Sequence, residues 1–331
     1  MNKHLFSVLI AVMAFQGCKK ADKDCRIPAE YLDSEISVSI ERLEIPFFEN
    51  LDLERVVELL ETYPEFADQY LMMGDFESKE ELAGEIVTIH QNEGMQELYE
   101  EVKNHFDEIT KIEQDLQLAF QAIHFHYPDF VPPKVYTYVS GFSSDLFITE
   151  DIIVIGLDYF LPPDHRFQPP EIPVYIAKRY EENHLVPTLI TALSSKYNQT
   201  DLKDNSLLAE MIFYGKSYHF TKTMMPCTPD EYIIGYSSSE ITASYANEEM
   251  IWAHFIENEL LFETNPFEIR KYTGEAPFTD EISPDAPGRL GRWIGWNIVD
   301  DYREQNAMSL PELMSQPSAR EIFRQSGYRP R

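Results

Sequence analysis

From Glu93 to Tyr127 the apolar residues recur every three or four positions: Leu98, Val102, Phe106, Ile109, Ile112, Leu116, Ala119, Phe120 and Ile123. Residues three and four apart share one face of a helix, so this stripe predicts one long amphipathic helix and commits the chain to a largely helical body. Further helix signals surround it. Asp52 can cap a helix over 52–63 that Pro64 stops, and Ser78-Lys79-Glu80-Glu81 is a capping box before a helix running to Gln91. Downstream, helices are predicted over 173–197, 205–221, 239–260, 287–306 and 317–325.

Strand signals are fewer. Ile36, Val38 and Ile40 alternate with polar residues, which reads as one half-buried strand ended by Pro46 and Phe47-Phe48. After Pro128 and Pro132-Pro133, three short candidates follow at 134–139, 145–149 and 152–157. Gly141 and Glu150-Asp151 mark the turns between them, and the expected arrangement is a small antiparallel meander. The fold class expected is α+β: a mostly helical single domain with a small antiparallel sheet.

The N-terminus reads as a targeting segment. Lys3 and His4 precede an uncharged stretch from Leu5 to Phe15, too short to span a bilayer. Gly17-Cys18 then resembles a lipoprotein cleavage site, with Phe15 and Gln16 departing from the strict box. The expectation is a signal peptide over 1–17, lipidation at Cys18, a polar tether over 18–26 and one folded domain over 27–331. Two or three acyl chains would make a stable membrane anchor. Cys25 and Cys227 remain. An oxidising envelope would permit them to pair, but Cys25 lies in the tether, so the reading favours free or weakly coupled thiols.

Charge narrows the partners. The net charge of −30 repels phosphate backbones and excludes nucleic acid as a partner. Residues 26–115 carry 25 acidic and 6 basic side chains, whereas 288–331 carry 7 basic and 5 acidic. The slightly positive C-terminal segment is expected to pack against the acidic N-terminal helices.

No catalytic motif is evident. None of the nine histidines is followed by glutamate, so HExxH is missing. His90-Asn-Glu-Gly matches HxxEH only up to its last residue. Glu181 and His184 share a helix face but lack the further pair that a di-iron site needs. Gly141-Phe-Ser143-Ser-Asp lacks the second glycine of a nucleophile elbow and reads as a turn. Gly288-x-x-Gly291-x-x-x-Gly295 suits close helix packing. No cofactor is expected.

Several stretches together resemble the gliding-motility lipoprotein family GldB of the Bacteroidetes. They include Ile45-Pro46-Phe47-Phe48, Pro133-Lys134-Val135 and Ile155 to Leu161. Met211 to Lys216, Ile233 to Tyr236, Asn247 to Trp252 and Pro287 to Trp296 follow in the same order. The resemblance implies an envelope lipoprotein of a gliding machinery tied to type IX secretion. It would be anchored in the inner or outer membrane with its body facing the periplasm, and would act on other machinery proteins. The family is also distantly similar to zinc peptidases. On that alignment Thr191 and Ser195 stand where histidines would be and Ala192 where the base would be, so a degenerate peptidase fold without metal chemistry is implied. Two alternatives stay open. One is a metallohydrolase with an unrecognised ligand set drawn from His184, His219 or Glu210; the other is a ligand-binding envelope lipoprotein.

Overall fold

The computed structural model describes residues 25–49, 51–170 and 172–330. Cys18 and the expected signal segment lie outside them. One sheet of four strands, β1 (Ile40–Arg42), β2 (Lys134–Tyr138), β3 (Leu146–Ile148) and β4 (Ile152–Gly156), sits within a helical body. Ahead of the central strands come α1 (Ala29–Leu32), α2 (Glu44–Phe48), α3 (Leu53–Thr62), α4 (Lys79–His90), α5 (Glu93–His105) and α6 (Thr110–His126). After the sheet come α7 (Val174–Ala177), α8 (Glu182–Leu193), α9 (Leu207–Met224), α10 (Asp230–Ile234), α11 (Ser238–Ala246) and α12 (Glu248–Glu257). The chain closes with α13 (Pro266–Thr273), α14 (Leu290–Asn306), α15 (Leu310–Ser315) and α16 (Ala319–Ser326). The molecule is a mostly helical α+β domain around one contiguous apolar core.

The sheet is mixed, not the antiparallel meander expected. Its order is β1-β2-β4-β3, with β1 and β4 parallel to β2 and only β3 antiparallel to β4. The reason lies in the side chains. Every residue of β4 is buried, as are Val135 to Tyr138 of β2, so both strands need cover on two faces and take the centre. Half-exposed β3 folds back along the outer edge of β4. The loop before β3 turns through two successive left-handed residues, Gly141 (φ 65°) and Phe142 (φ 61°). The buried Asp158 carboxylate holds that loop, accepting from the backbone N–H of Ser140 (2.9 Å) and Phe142 (2.6 Å).

Two other expectations change. The long stripe divides into α5 and α6 at Phe106–Ile109, where the Asp107 carboxylate accepts from the N–H of Glu108 and offers the backbone an alternative to the helix. Phe106 is buried at the break, so the apolar spacing carries on through it. The alternating segment 36–40 enters the sheet only at Ile40, because side chains of α6 satisfy its backbone. Gln117 accepts from the Val38 N–H (2.7 Å) and donates to the Ile36 carbonyl (2.5 Å), while Glu113 accepts from the Ile40 N–H.

Cys25 and Cys227 form a disulfide, against the expectation of free thiols; their Cα atoms are 5.1 Å apart. Packing of α1 on α6 brings the N-terminal stretch back to the body. The Tyr31 hydroxyl bonds His126 Nε2 (2.9 Å) and donates to the Thr223 carbonyl near the end of α9 (3.3 Å), which puts Cys25 beside Cys227. The bond closes a sequence separation of 202 residues. Cross-linking so long a loop restricts the unfolded chain, and such bonds contribute typically about 2–4 kcal/mol. Cys227→Ser is therefore expected to lower unfolding free energy by that amount in urea titrations; an unchanged midpoint would show that the bond constrains nothing.

The most extensive helix contact is between α9 and α14. At their crossing Gly215 faces Gly295, and a methyl group on Gly295 would overlap the Met211 carbonyl. Both contacts are backbone to backbone, so no side chain can move aside. The positive C-terminal segment thus packs chiefly on α9, not on the acidic N-terminal helices as expected. Gly295→Ala is expected to cost about 3 kcal/mol by forcing the helices apart. Gly84→Ala in α4, where a methyl meets nothing within 4 Å, is expected to be neutral or stabilising by up to about 1 kcal/mol. Equal effects of the two substitutions in chemical denaturation would refute the packing argument.

Candidate functional site

Beside that crossing lies a cleft of about 510 Å³, walled by α8, α9, α10 and the first turn of α14. Thr191, Ala192 and Ser195, the three positions singled out on α8, all line it. The first two lie on α8, whereas Ser195 lies just past its end in a 3₁₀ turn. Their hydroxyls are already engaged. Thr191 Oγ1 donates to the Pro187 carbonyl (2.8 Å) or shares a proton with Thr221 Oγ1 (2.8 Å), and Ser195 Oγ donates to the Ala192 carbonyl (2.7 Å). Neutral hydroxyls bonded to their own helix, with a methyl between them, make a poor metal-binding face.

His184, one turn before the middle of α8, also reaches the cleft. Its Nδ1 bonds the Tyr232 carbonyl (3.2 Å), and burial holds its pKa below the ordinary imidazole value. His219 and Glu210 do not join it. His219 bridges Asp300 (Nδ1 to Oδ1, 2.5 Å) and Arg303, whose Nη1 donates to Nε2 at 2.8 Å. Glu210 sits nine residues earlier on α9, about 13 Å along the axis, and accepts from the Thr273 hydroxyl (2.7 Å). The three candidate ligands thus occupy three separate neighbourhoods. Among the described residues no group of three His, Cys, Asp or Glu side chains is placed to hold a metal ion.

His90 and His126 have other neighbours. His90 is a core residue: its Nδ1 bonds the Phe47 carbonyl (2.8 Å), its Nε2 the Tyr138 hydroxyl (2.9 Å), and its ring stacks on Phe48. Burial depresses its pKa to about 4, so it is neutral at pH 7. His126 is depressed to about 4 for the same reason, helped by Arg303.

The sequence reading passed over the charge inside the cleft. Arg179, Arg289 and Arg292 converge on one carboxylate, Glu275. Arg179 Nη1 lies 2.6 Å from Oε2, Arg292 Nη1 3.1 Å from Oε1, and Arg289 Nε 3.7 Å from Oε2. Two further contacts aim the guanidinium groups: Arg289 Nη2 donates to the Gly235 carbonyl (3.1 Å), and Arg292 lies over the Tyr214 ring at 3.9 Å. Gly235 itself is left-handed (φ 72°), and a methyl there would strike the Arg179 side chain. Burial would raise the Glu275 pKa, but the arginines outweigh it and hold the carboxyl below its ordinary value. Arg179 is pushed down by burial and by the neighbouring Arg289. The signal available in the sequence was Arg289 and Arg292 one turn apart at the head of a glycine-bearing helix; their partners lie far away in the chain.

A larger hollow of about 730 Å³ opens along the N-terminal half of α9. Its one buried ammonium, Lys216, is already committed to the carbonyls of Gln199, Met314 and Gln316 at 2.7, 3.0 and 3.0 Å. Burial lowers its pKa to about 8.

The fold and site together are those of a mostly helical α+β domain with an arginine-lined cleft. The family model described as gliding motility protein GldB, a lipoprotein family by its label, matches residues 24–330. The chain belongs to that family and is a gliding-motility lipoprotein. Neither the curated proteins nor the solved structures give a match.

Proposed function

We propose that this protein is a non-catalytic component of the gliding machinery, anchored by lipid in the cell envelope and acting by protein–protein contact. Residues 1–17 would be the signal peptide that is removed and Cys18 the lipidated residue. The body would face the periplasm from the inner or outer membrane and engage other envelope proteins of a machinery linked to type IX secretion. The cleft would be a peptidase-like cleft that has lost its metal. The observation that carries this reading is the trio Thr191, Ala192 and Ser195 on the cleft wall, with both hydroxyls bonded within α8 and its final turn.

Two further observations support it. A disulfide between Cys25 and Cys227 suits an oxidising compartment outside the cytoplasm. Among the described residues no helix is long and apolar enough to cross a membrane. The disulfide also limits the tether. Seven residue steps from Cys18 to Cys25 reach at most about 25 Å, so the surface carrying Cys227 would stay within that distance of the bilayer.

Two measurements on the untagged full-length chain test the reading. Mass spectrometry is expected to find far less than one zinc per chain, and Cys18→Ser is expected to move the protein from the membrane fraction to the soluble envelope fraction. Stoichiometric zinc would overturn the non-catalytic assignment, and unchanged fractionation of Cys18→Ser would overturn the anchor.

A further inference from the structure

We propose that the cleft between α8 and α14 binds an oxyanion, a carboxylate or phosphate group carried by a small ligand or a chain end, through Arg179, Arg289 and Arg292. The inference deepens the reading of the cleft as a binding surface and rests on that part of it alone; the lipid anchor is not required.

In a chain of net charge −30, three guanidinium groups face one cavity. The carboxylates lining the same cavity are Glu275 and Asp145. Asp145 is engaged elsewhere, with its Oδ2 accepting from the Tyr180 hydroxyl at 2.7 Å and its Oδ1 from the Leu146 N–H at 2.7 Å. Among the described residues Glu275 is the one carboxylate within ion-pair distance of the three arginines, so three guanidinium groups share it, while Glu181, Glu231 and Glu240 line the adjoining hollow that Arg179 and Arg289 also border. Withdrawing a cation from water costs several kcal/mol unless an anion compensates it. Arg289 is 4% exposed, and among the described residues its buried Nε has no hydrogen-bond partner.

The backbone is also held off its preferred shape here. Arg289 caps α14 in the left-handed region at φ 65°, a conformation costing a non-glycine residue about 1 kcal/mol or more. A surface arginine would have no reason to keep it. The strain is maintained by the Gly235 carbonyl, by Glu275 and by the Tyr236 ring, whose centroid lies 5.5 Å from the guanidinium.

Planar guanidinium groups recognise carboxylate and phosphate through paired N–H donors. The rest of the cavity describes what the oxyanion would be attached to. Ile176, Ala192, Phe213 and the faces of Tyr214 and Tyr218 supply apolar wall, and Thr188 supplies a hydroxyl. The volume of about 510 Å³ suits a compact body of one or two amino-acid or sugar units. His184 also lines the cavity, and burial holds its pKa below the ordinary imidazole value.

Isothermal titration of the full-length protein tests this with three probes: inorganic phosphate, the dipeptide N-acetyl-Tyr-Ala with a free carboxylate, and the same dipeptide amidated. Saturable one-to-one binding of phosphate or of the free acid is expected, with the amide at least about tenfold weaker. Tighter phosphate would assign a phosphoryl group, and a tighter free acid would assign a chain-end carboxylate. Arg289→Gln and Arg179→Gln are expected to weaken binding about tenfold or more, whereas Arg166→Gln, which pairs on the surface with Glu97 and Glu101, should not change it. Glu275→Gln removes the competing carboxylate and should tighten binding, a gain that misfolding cannot imitate. Failure of both anions to bind overturns the proposal. So does saturable binding of the amide as tight as that of the free acid, or affinity that is indifferent to Arg289→Gln and Glu275→Gln alike. None of these results touches the zinc or fractionation measurements.

Discussion

Gly215 and Gly295 let two long helices touch backbone to backbone, and the C-terminal half of the molecule is arranged around that contact. With α14 lying this close on α9, Trp293, Ile294 and Ile298 are buried. The first turn of α14 is thereby carried to the cleft, where Arg292 meets Tyr214 of α9 and Glu275 just beyond α13. On its other side α9 holds α8 through the Thr191–Thr221 hydroxyl pair. The cleft is thus the space left between two helices that share a third as their floor. Its walls are rigid secondary structure, which is the condition for holding charged groups in fixed places.

Those charged groups run against the character of the chain. The sequence is strongly acidic, yet its interior gathers arginines at one point around a single glutamate. Desolvation and repulsion from Arg289 push the Arg179 pKa down, whereas Arg292, despite its own burial, is held above its ordinary value beside Tyr218, Tyr214 and Glu275. Burying apolar side chains in the same place would hold α8, α10 and α14 together at lower cost. A buried arginine cluster that shares one carboxylate, with Arg289 Nε lacking a hydrogen-bond partner among the described residues, is the pattern expected of a site that receives something.

Much of the scaffold was readable from local signals. Asp52 and Ser78 cap α3 and α4 where the sequence places them, each accepting from the N–H three residues on. The run Ile152 to Ile155, apolar without alternation, carried the mark of a central strand, although it was read as part of a meander. Two helix starts were equally local and went unread: Asn265-Pro266 before α13 and the Ser309 to Glu312 capping box of α15. The remaining features were beyond local reading. Cys25 looked like tether because nothing near it indicates that Tyr31 will return the chain to α9. The cluster joins Arg179 to Glu275 and Arg292 across most of the C-terminal half, and in the sequence only the Arg289–Arg292 spacing and the slight positive charge of 288–331 are visible. That charge was assigned to the acidic N-terminal helices because spacing along a chain says nothing about which distant carboxylate a helix will meet.

If the cleft acts by binding an anion and not by chemistry on α8, its two walls should matter unequally in the cell. The direct measurement is gliding speed in a host lacking its own family member and complemented at equal envelope abundance. The account predicts near-normal gliding for the double variant Thr191→Ala, Ser195→Ala and loss of gliding for Arg289→Gln. Loss of gliding with the α8 double variant, together with normal gliding of Arg289→Gln, would contradict it.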